Sequence, residues 1–260
     1  MNSTIKEAAS RLYEAELNKT ECLPVRELIG IDTINEAYEV QNLNTIRRLK
    51  SGARLIGRKI GLTSFAVQKQ LRVDQPDYGM LFSDMEVMEG GTITWAECMQ
   101  PKAEGEIAFI LNADLNHSNI SIAEVISSIE YAVPCIEIVG SRIAHWDIKI
   151  TDTIADNASA SHFVIGHSPK TLSEFDILKC KMQLFKNGEL SADGDAKACM
   201  GSPINATWWL ANKMTELGQP LKKGDIVLAG ALGPMVEAKK GDEFVASFSN
   251  LGSVSINFGL

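Results

Sequence analysis

The sequence has few cysteines and no excess of positive charge, and each absence argues against a class of function. The five cysteines among the 260 residues are odd in number, widely spread and without a Cys-x-x-Cys pair. This pattern disfavours a disulfide framework and a zinc site, and it is typical of reduced thiols in a cytosol. The formal net charge of −8 makes nucleic acids and anionic membranes poor partners, because both would repel the protein.

Long apolar runs and the common nucleotide and hydrolase motifs are also missing. Nothing approaches the roughly 18 consecutive apolar residues of a membrane span, and residues 1–7 are polar and acidic, unlike a signal peptide. No Gly-x-Ser-x-Gly, Gly-x-Gly-x-x-Gly or Walker loop occurs, which argues against the usual serine hydrolases, dinucleotide-binding proteins and phosphate-loop proteins. With 45% hydrophobic and 22% charged residues, we expect a globular cytoplasmic protein with a full core.

Three glutamates stand out because they lie in apolar segments. Glu104 and Glu106 precede the apolar run 107–111, and Glu137 lies within a second apolar run, residues 134–139. Carboxylates two apart on a strand project from the same face, and a buried charge needs a compensating partner. A hard divalent cation such as Mg²⁺ or Mn²⁺ would compensate three converging carboxylates. The spacing alone leaves open the alternative that Glu104 and Glu106 lie on the wet face of an edge strand.

Helical periodicity dominates the first fifty residues and returns twice later in the chain. The predicted helices run from Ser3 to about Leu17, from a capping box at Thr33 to Gly52, from Ser121 to a stop at Pro134, and from Ser202 to Gly218. Capping residues, a proline in the first turn and a terminal glycine are the signals for these boundaries.

The rest of the chain carries the signals of strands and tight turns. Asn187-Gly188 and the segment 250–252 each separate two short runs and predict hairpins, and two Lys-Gly-Asp turns, at 223–225 and 240–242, introduce alternating runs. Strands concentrated in the middle and at the end, with helices mostly at the start, predict an α+β protein rather than alternating βαβ units.

Four separated motifs resemble those of one known group. They are residues 57–64 (Gly-Arg-Lys-Ile-Gly-Leu-Thr-Ser), 75–79 (Gln-Pro-Asp-Tyr-Gly), 101–106 (Pro-Lys-Ala-Glu-Gly-Glu) and 152–159 (Asp-Thr-Ile-Ala-Asp-Asn-Ala-Ser). Together they resemble the 2-hydroxypenta-2,4-dienoate (2-keto-4-pentenoate) hydratases and the 4-oxalocrotonate decarboxylases of the fumarylacetoacetate hydrolase superfamily. The resemblance implies a mixed β-roll or distorted β-sandwich core behind a small helical N-terminal part. We therefore expect a helical part at 1–54 and a β-rich catalytic domain at 55–260.

The resemblance also implies a set of site residues. Glu104, Glu106 and Glu137 would hold Mg²⁺ or Mn²⁺, with Lys59 and Asp77 as catalytic residues. Local sequence alone would make Lys59 a solvent-facing strand lysine and Asp77 a turn-capping aspartate in a loop. Lys59 stands between Gly57 and Gly61, which would let a ligand approach the backbone closely. A lysine in an apolar pocket could bind a carboxylate, or have a lowered pKa and move protons.

Some positions depart from the family pattern or lack an assigned role. Gly140 stands where relatives usually carry an aspartate, which removes any support that residue gives to the metal. Phe65 stands where many hydratases carry a lysine, which could alter specificity at the pocket mouth. Gly105 should point away from the metal. Asp152, Asp156 and Asn157 are expected in a polar loop that closes over the pocket.

The function that this resemblance implies is metal-dependent hydration of a 2-hydroxy-2,4-dienoate to a 4-hydroxy-2-oxo acid in aromatic meta-cleavage catabolism. The alternatives are a 4-oxalocrotonate-type decarboxylase, an acylpyruvate hydrolase and a non-catalytic partner that stabilises another subunit. Asp77 favours hydration, because the decarboxylase relatives carry an apolar residue at the matching position. We also expect a homo-oligomer, associated with neighbouring enzymes of the pathway.

Overall fold

The computed structural model describes residues 3–65, 68–69 and 73–260. Its α-helices in that part of the chain are α1 (Ser3–Asn18), α2 (Arg26–Ile29), α3 (Ile34–Lys50), α4 (Ile122–Ser128), α5 (Ile150–Ala155) and α6 (Pro203–Glu216). No helix within these ranges is long and apolar enough to span a bilayer.

The strands form two mixed sheets. They are β1 (Leu55–Gly61), β2 (Asp77–Phe82), β3 (Thr92–Ile93), β4 (Lys102–Leu111), β5 (Ile129–Val139), β6 (Ala160–Ile165), β7 (Lys181–Lys186), β8 (Glu189–Asp195), β9 (Ile226–Ala231), β10 (Val236–Glu237), β11 (Glu243–Phe248) and β12 (Gly252–Phe258). The first sheet has the order β2-β1-β9-β4-β5-β6 with β10 also paired to β4, and the second has the order β3-β12-β11-β7-β8. The pairs β1–β9 and β3–β12 are parallel. The predicted α+β class with mixed sheets is confirmed.

The main hydrophobic core lies between the two sheets. Strands β11 and β12 pack on β5, and the fully buried Ile136 and Ile107 belong to this core. Gly105 faces the second sheet, where Met182 covers it, so it points away from its two neighbouring glutamates as predicted. The opposite face of β4 and β5 is therefore free to carry polar side chains.

The N-terminal helices share a smaller hydrophobic core with the segment that follows β5. Buried side chains of α1 and α3, among them Leu12 and Val40, pack with Ile143, Ile150 and Ile154. An ion pair between Arg26 and Asp152 (2.6 Å) joins the same two regions. This packing fixes the segment 143–159 over the first sheet. The division of the chain at residue 54 stays a prediction.

Several predicted turns and caps have the expected structure. Ser121 accepts from the Glu124 backbone in a complete capping box, and Ser202 caps α6 with Pro203 in its first turn. Asn187 and Gly188 have positive φ, as a tight hairpin between β7 and β8 requires.

Two local predictions are wrong. Thr33 makes no capping hydrogen bond to α3; its hydroxyl donates to Gly30 O, in the turn before the helix. The helix at Ser121 ends at Ser128 and not at Pro134, which lies inside β5. Ile122 and Ile126 of this short helix are exposed. From Ile129 onward the apolar run pairs with β4, and the strand hydrogen bonds satisfy its backbone groups. The helix therefore ends after seven residues.

Candidate active site

The three glutamates converge at the centre of the first sheet. Glu104 and Glu106 lie two apart on β4, and Glu137 lies directly opposite Glu104 on the antiparallel strand β5. Residues in these relationships project from one face of a sheet, and one carboxylate oxygen from each lies within 4.8 Å of the others. Glu106 and Glu137 are buried, and Glu104 is partly exposed. The wet edge-strand alternative does not hold, because β4 lies between β9 and β5.

The donor set fits a hard divalent cation. Among the described residues, both carboxylate oxygens of Glu137 and Oε1 of Glu106 are buried without a hydrogen-bond partner. A buried carboxylate without a partner is costly, and Mg²⁺ and Mn²⁺ prefer such oxygen ligands. That these three residues are metal ligands stays a prediction, to which the unpartnered oxygens lend physical support.

Burial raises the pKa values of all three acids, and the charges of neighbouring acids reinforce the shift for Glu104 and Glu106. Burial raises the pKa of Glu104 to about 7, with Lys59 opposing and the charge of Glu137 reinforcing that shift. Burial and the charges of Glu137 and Glu104 raise the pKa of Glu106 well above its ordinary value. Burial also raises the pKa of Glu137, against the attraction of Lys59. The cluster therefore resists full ionisation unless further positive charge is bound.

Lys59 contributes one positive charge to the cluster. It lies on β1, is 3% exposed, and places Nζ 3.3 Å from Glu137 Oε2 in an ion pair that lacks hydrogen-bond geometry. Its ammonium donates to Ala158 O at 3.1 Å. Burial acts to lower the pKa of Lys59, but the surrounding carboxylates, above all Glu137 and Asp77, raise it by more. Lys59 thus stays charged near neutral pH, contrary to the lowered pKa that an apolar pocket would produce.

Asp77 is the first residue of β2 and not a loop residue. It is 1% exposed, and its Oδ1 has no hydrogen-bond partner among the described residues. It lies opposite Gly61 in the β1–β2 pair, where its carboxylate occupies the space that a side chain at residue 61 would need. Burial raises the pKa of Asp77 to about 6, although Lys59 opposes this.

The two glycines that flank Lys59 have a different role from the predicted one. A side chain at Gly57 would collide with the backbone of Ile226 on β9, and one at Gly61 would collide with Asp77. These glycines therefore permit close strand packing and make room for Asp77. The expectation that they open the backbone to a ligand is wrong.

Sequence reasoning missed Gly230, which orients Glu106. Its N–H donates to Glu106 Oε2 at 2.9 Å, and the β4–β9 register shifts next to Glu106. Gly230 has φ +108, and any side chain there would collide with Thr63. A lone glycine inside the strand pattern of residues 226–231 is the signal of such a bulge and could have found it.

The predicted polar loop is in fact a helix followed by a tight turn. Asp152 lies on α5 and pairs with Arg26, Asp156 pairs with the buried Arg142, and Asn157 bonds to the backbone of Met80. Each of the three side chains is thus engaged with protein groups. We therefore assign none of them to direct substrate contact.

The two departures from the family pattern have different surroundings. A side chain at Gly140 would lie 2.8 Å from Met99 O, so an aspartate would require the backbone to shift. Phe65 is 60% exposed, and its effect on specificity stays a prediction.

A cavity of about 490 Å³ lies beside the turn at Asp156 and Asn157. Its lining includes Glu16, Arg48, Arg142 and His162, and it includes neither Lys59 nor any of the three glutamates. We place the candidate site at the carboxylates because of their chemistry.

Comparisons with known proteins point to one family. The family model described as fumarylacetoacetate (FAA) hydrolase C-terminal matches residues 50–258. Among curated relatives, the TodF product hydratase of Pseudomonas putida is 52% identical over 254 residues, covering 98% of this chain and 95% of the relative. The 2-keto-4-pentenoate hydratase 1 of Dechloromonas aromatica is 49% identical over 251 residues, covering 96% and 95%.

A solved structure is also closely similar. The 4-oxalocrotonate decarboxylase from Pseudomonas putida G7, complexed with magnesium and adipate, has a TM-score of 0.93 at 31% identity, covering 98% of this chain and 97% of that one. This chain therefore belongs to the fumarylacetoacetate hydrolase family, in the group that contains the 2-keto-4-pentenoate hydratases and the 4-oxalocrotonate decarboxylases.

Proposed function

We propose that this protein is a metal-dependent hydratase that converts a 2-hydroxy-2,4-dienoate into a 4-hydroxy-2-oxo acid. The observation that carries the proposal is the group of three converging glutamates beside Lys59 and Asp77, in which Glu106 Oε1 and both oxygens of Glu137 are buried without a hydrogen-bond partner among the described residues. Relatives 52% and 49% identical to this chain are named as hydratases. The reaction class and the residues that would perform it thus point the same way.

The glutamates and the lysine would bind the acidic end of the substrate. A divalent cation, Mg²⁺ or Mn²⁺, held by Glu104, Glu106 and Glu137 would supply Lewis acidity at the carboxylate and 2-oxygen of the substrate. Lys59 is buried and positively charged, so it would neutralise the substrate carboxylate or relay a proton. The apolar sheet core behind them would exclude bulk water and strengthen these interactions.

Asp77 would act on the water that is added. Its Oδ1 is buried and unpartnered, and its raised pKa of about 6 is close to the neutral value that suits a general base. The carboxylate would orient a water molecule towards C4 and accept its proton. Because Asp77 is on a strand opposite Gly61, the base would be held rigidly.

The proposed reaction balances as follows. The enol proton leaves the 2-oxygen and a proton adds at C5, which gives a 2-oxo-3-enoate. Water then adds its oxygen at C4 while a proton adds at C3. The net change is one water added to the dienoate, with no oxidant or reductant.

Decarboxylation is the second candidate, because the similar solved structure is that of a decarboxylase. In that reaction carbon dioxide leaves the vinylogous position and no water is activated. A carboxylate at Asp77 would then have no task, and its charge would oppose a second substrate carboxylate. Asp77 therefore favours hydration.

The experiment offers purified protein a 2-hydroxypenta-2,4-dienoate and an oxalocrotonate-type diacid, each with and without Mg²⁺. We expect loss of the dienoate absorbance with Mg²⁺ and no release of carbon dioxide from the diacid. Asp77→Asn should impair hydration by about 10²–10⁴-fold, the range typical of a general base, at unchanged metal occupancy. Release of carbon dioxide at a higher kcat/KM than hydration would overturn the assignment.

The broader setting also belongs to the proposal. We place the reaction in aromatic meta-cleavage catabolism because the chain resembles hydratases of such pathways. A cytoplasmic location, a homo-oligomeric state and association with neighbouring enzymes stay predictions.

A further inference from the structure

The turn after α5 has an unusual backbone. Asn157, Ala158 and Ser159 have φ values of +54°, +50° and +58°, three consecutive non-glycine residues in the left-handed region. Residues other than glycine adopt this conformation rarely, and usually singly. Tertiary contacts must therefore hold the turn in place.

The side chain of Asn157 supplies two of those contacts. Its Nδ2 donates to Met80 O at 3.0 Å, and its Oδ1 accepts from Met80 N–H at 2.7 Å. Met80 lies on β2, the edge strand of the first sheet, so the amide takes the place of a neighbouring strand residue. The backbone carbonyl of Asn157 packs directly on Gly79, where a side chain would collide with it.

This attachment determines where the next carbonyl points. Gly79 lies opposite Lys59 in the β1–β2 pair, and Ala158 O accepts from Lys59 Nζ at 3.1 Å. The same ammonium lies 3.3 Å from Glu137 Oε2. The lysine head is therefore held between a metal-side carboxylate and a carbonyl that belongs to the turn.

We infer that Asn157 is a positioning residue that acts through Ala158 O to aim the Lys59 ammonium. The predicted effect of Asn157 on activity rests on the proposed function, whereas its contact with Lys59 through Ala158 O does not. Both polar atoms of the Asn157 side chain are engaged by the backbone of Met80 and not by the acids.

A purely structural role is the competing explanation, and Gln41 offers a matched control. Its buried amide donates to Tyr78 O at 2.8 Å and to Ile154 O at 3.0 Å. It thus also joins β2 to the α5 region through two hydrogen bonds, but without contact to the turn carbonyl that meets Lys59. Gln41→Ala should lower stability as much as loss of the Asn157 bonds does.

The experiment compares Asn157→Gly, Asn157→Asp and Gln41→Ala, alone and combined with Lys59→Met. Glycine adopts the left-handed backbone without strain, so Asn157→Gly removes only the two side-chain hydrogen bonds to Met80. We expect Asn157→Gly to lower kcat/KM for the dienoate by about tenfold or more, since small misplacements of a catalytic group are costly. Asn157→Asp, which retains an acceptor for Met80 N–H, should lose less, and Gln41→Ala should change kcat/KM by less than about twofold.

The double variants provide the decisive measurement. In the Lys59→Met background, Asn157→Gly should lower kcat/KM by less than about twofold further, because the ammonium that Asn157 positions is absent. The same factor in both backgrounds, or unchanged activity in Asn157→Gly, would overturn the inference, as would equal losses in Gln41→Ala. If Asn157→Gly does not fold, Asn157→Asp takes its place in the cycle.

Failure of the proposed function can be distinguished from failure of this inference. If the wild-type protein hydrates no dienoate, the shifts of the urea unfolding midpoint in the single and double variants still measure the coupling between Asn157 and Lys59. A double-variant shift smaller than the sum of the two single shifts would support coupling between Asn157 and Lys59. Additive shifts would contradict it.

Discussion

Asp77 and Gly61 face each other across β1 and β2, and the Asp77 carboxylate fills the space that a side chain at residue 61 would occupy. Lys59 lies on the same strand as Gly61, and its ammonium would lie 3.4 Å from a Cβ at that position. Because residue 61 has no side chain, the carboxylate of Asp77 and the ammonium of Lys59 can both lie over its backbone.

The first prediction tests this arrangement with Gly61→Ala. The added methyl group would displace the Asp77 carboxylate, and a displacement of about 1 Å can cost about 10²-fold in rate. We expect a large loss of hydration at nearly unchanged metal affinity, measured by steady-state kinetics and by calorimetry. Gly105→Ala is the control, because its methyl group would point at the flexible Met182 side chain and not at the acids. Wild-type activity in Gly61→Ala would contradict a fixed Asp77 base.

The second prediction concerns the metal. Glu106→Gln keeps the shape of the side chain and removes one charge, so metal affinity should fall by more than the ~10–100-fold typical of groups that only support a ligand. EDTA should abolish wild-type activity, and Mg²⁺ or Mn²⁺ should restore it. Glu130→Gln, an exposed position on the same strand as Glu137, is the control. Full activity of Glu106→Gln after exhaustive chelation would exclude the metal role.

The third prediction is a pH dependence of metal binding. Glu104, Glu106 and Glu137 all have raised pKa values, to about 7 for Glu104, so protons compete with the cation. Affinity should fall as the pH falls below about 7, and binding should release protons. Calorimetry in buffers of different ionisation enthalpy counts those protons. Binding without proton release at pH 6 would contradict the raised values.

The same shifts predict how the stability of the metal-free protein depends on pH. Between the ordinary value of 4.5 and the raised value of about 7 for Glu104, the native state binds more protons than the unfolded state. The free energy of unfolding should therefore fall as the pH rises through this window. Added Mg²⁺ should reverse the loss at the upper end, which urea unfolding with and without the metal would measure.

The fourth prediction concerns Lys59→Met. Removing the ammonium should lower kcat/KM by about 10²–10⁴-fold if it takes part in proton transfer. Metal affinity should be nearly unchanged, because the three glutamates remain. Lys181→Met, an exposed lysine at the start of β7, controls for loss of a strand lysine. A loss under about threefold would be too small for that role and would make Lys59 only a structural counter-ion.

Local sequence rules predicted a considerable part of the molecule. The helix start at Ser121 and the proline in the first turn of α6 have the predicted structure, as do the hairpins at Asn187-Gly188 and residues 250–252. Each depends on hydrogen bonds or φ values within a few residues. The error at Pro134 occurred where a distant partner competed, because β4 paired with the run that contains Pro134. At Thr33 the helix begins as predicted, but without the side-chain cap.

For the candidate site, the sequence by itself determined that Glu104 and Glu106 share one face, because side chains on a strand alternate with period two. Glu137 stood out as the single acid in a second apolar run, and the motif resemblance added Lys59 and Asp77. Only the tertiary structure decided that Glu137 lies opposite Glu104, that Gly230 bonds to Glu106, and that Asn157 holds Met80. These contacts join residues on different elements, 33 to 124 positions apart for the first two. Strand register and sheet order bring such residues together, and neither is written in the spacing of any one segment.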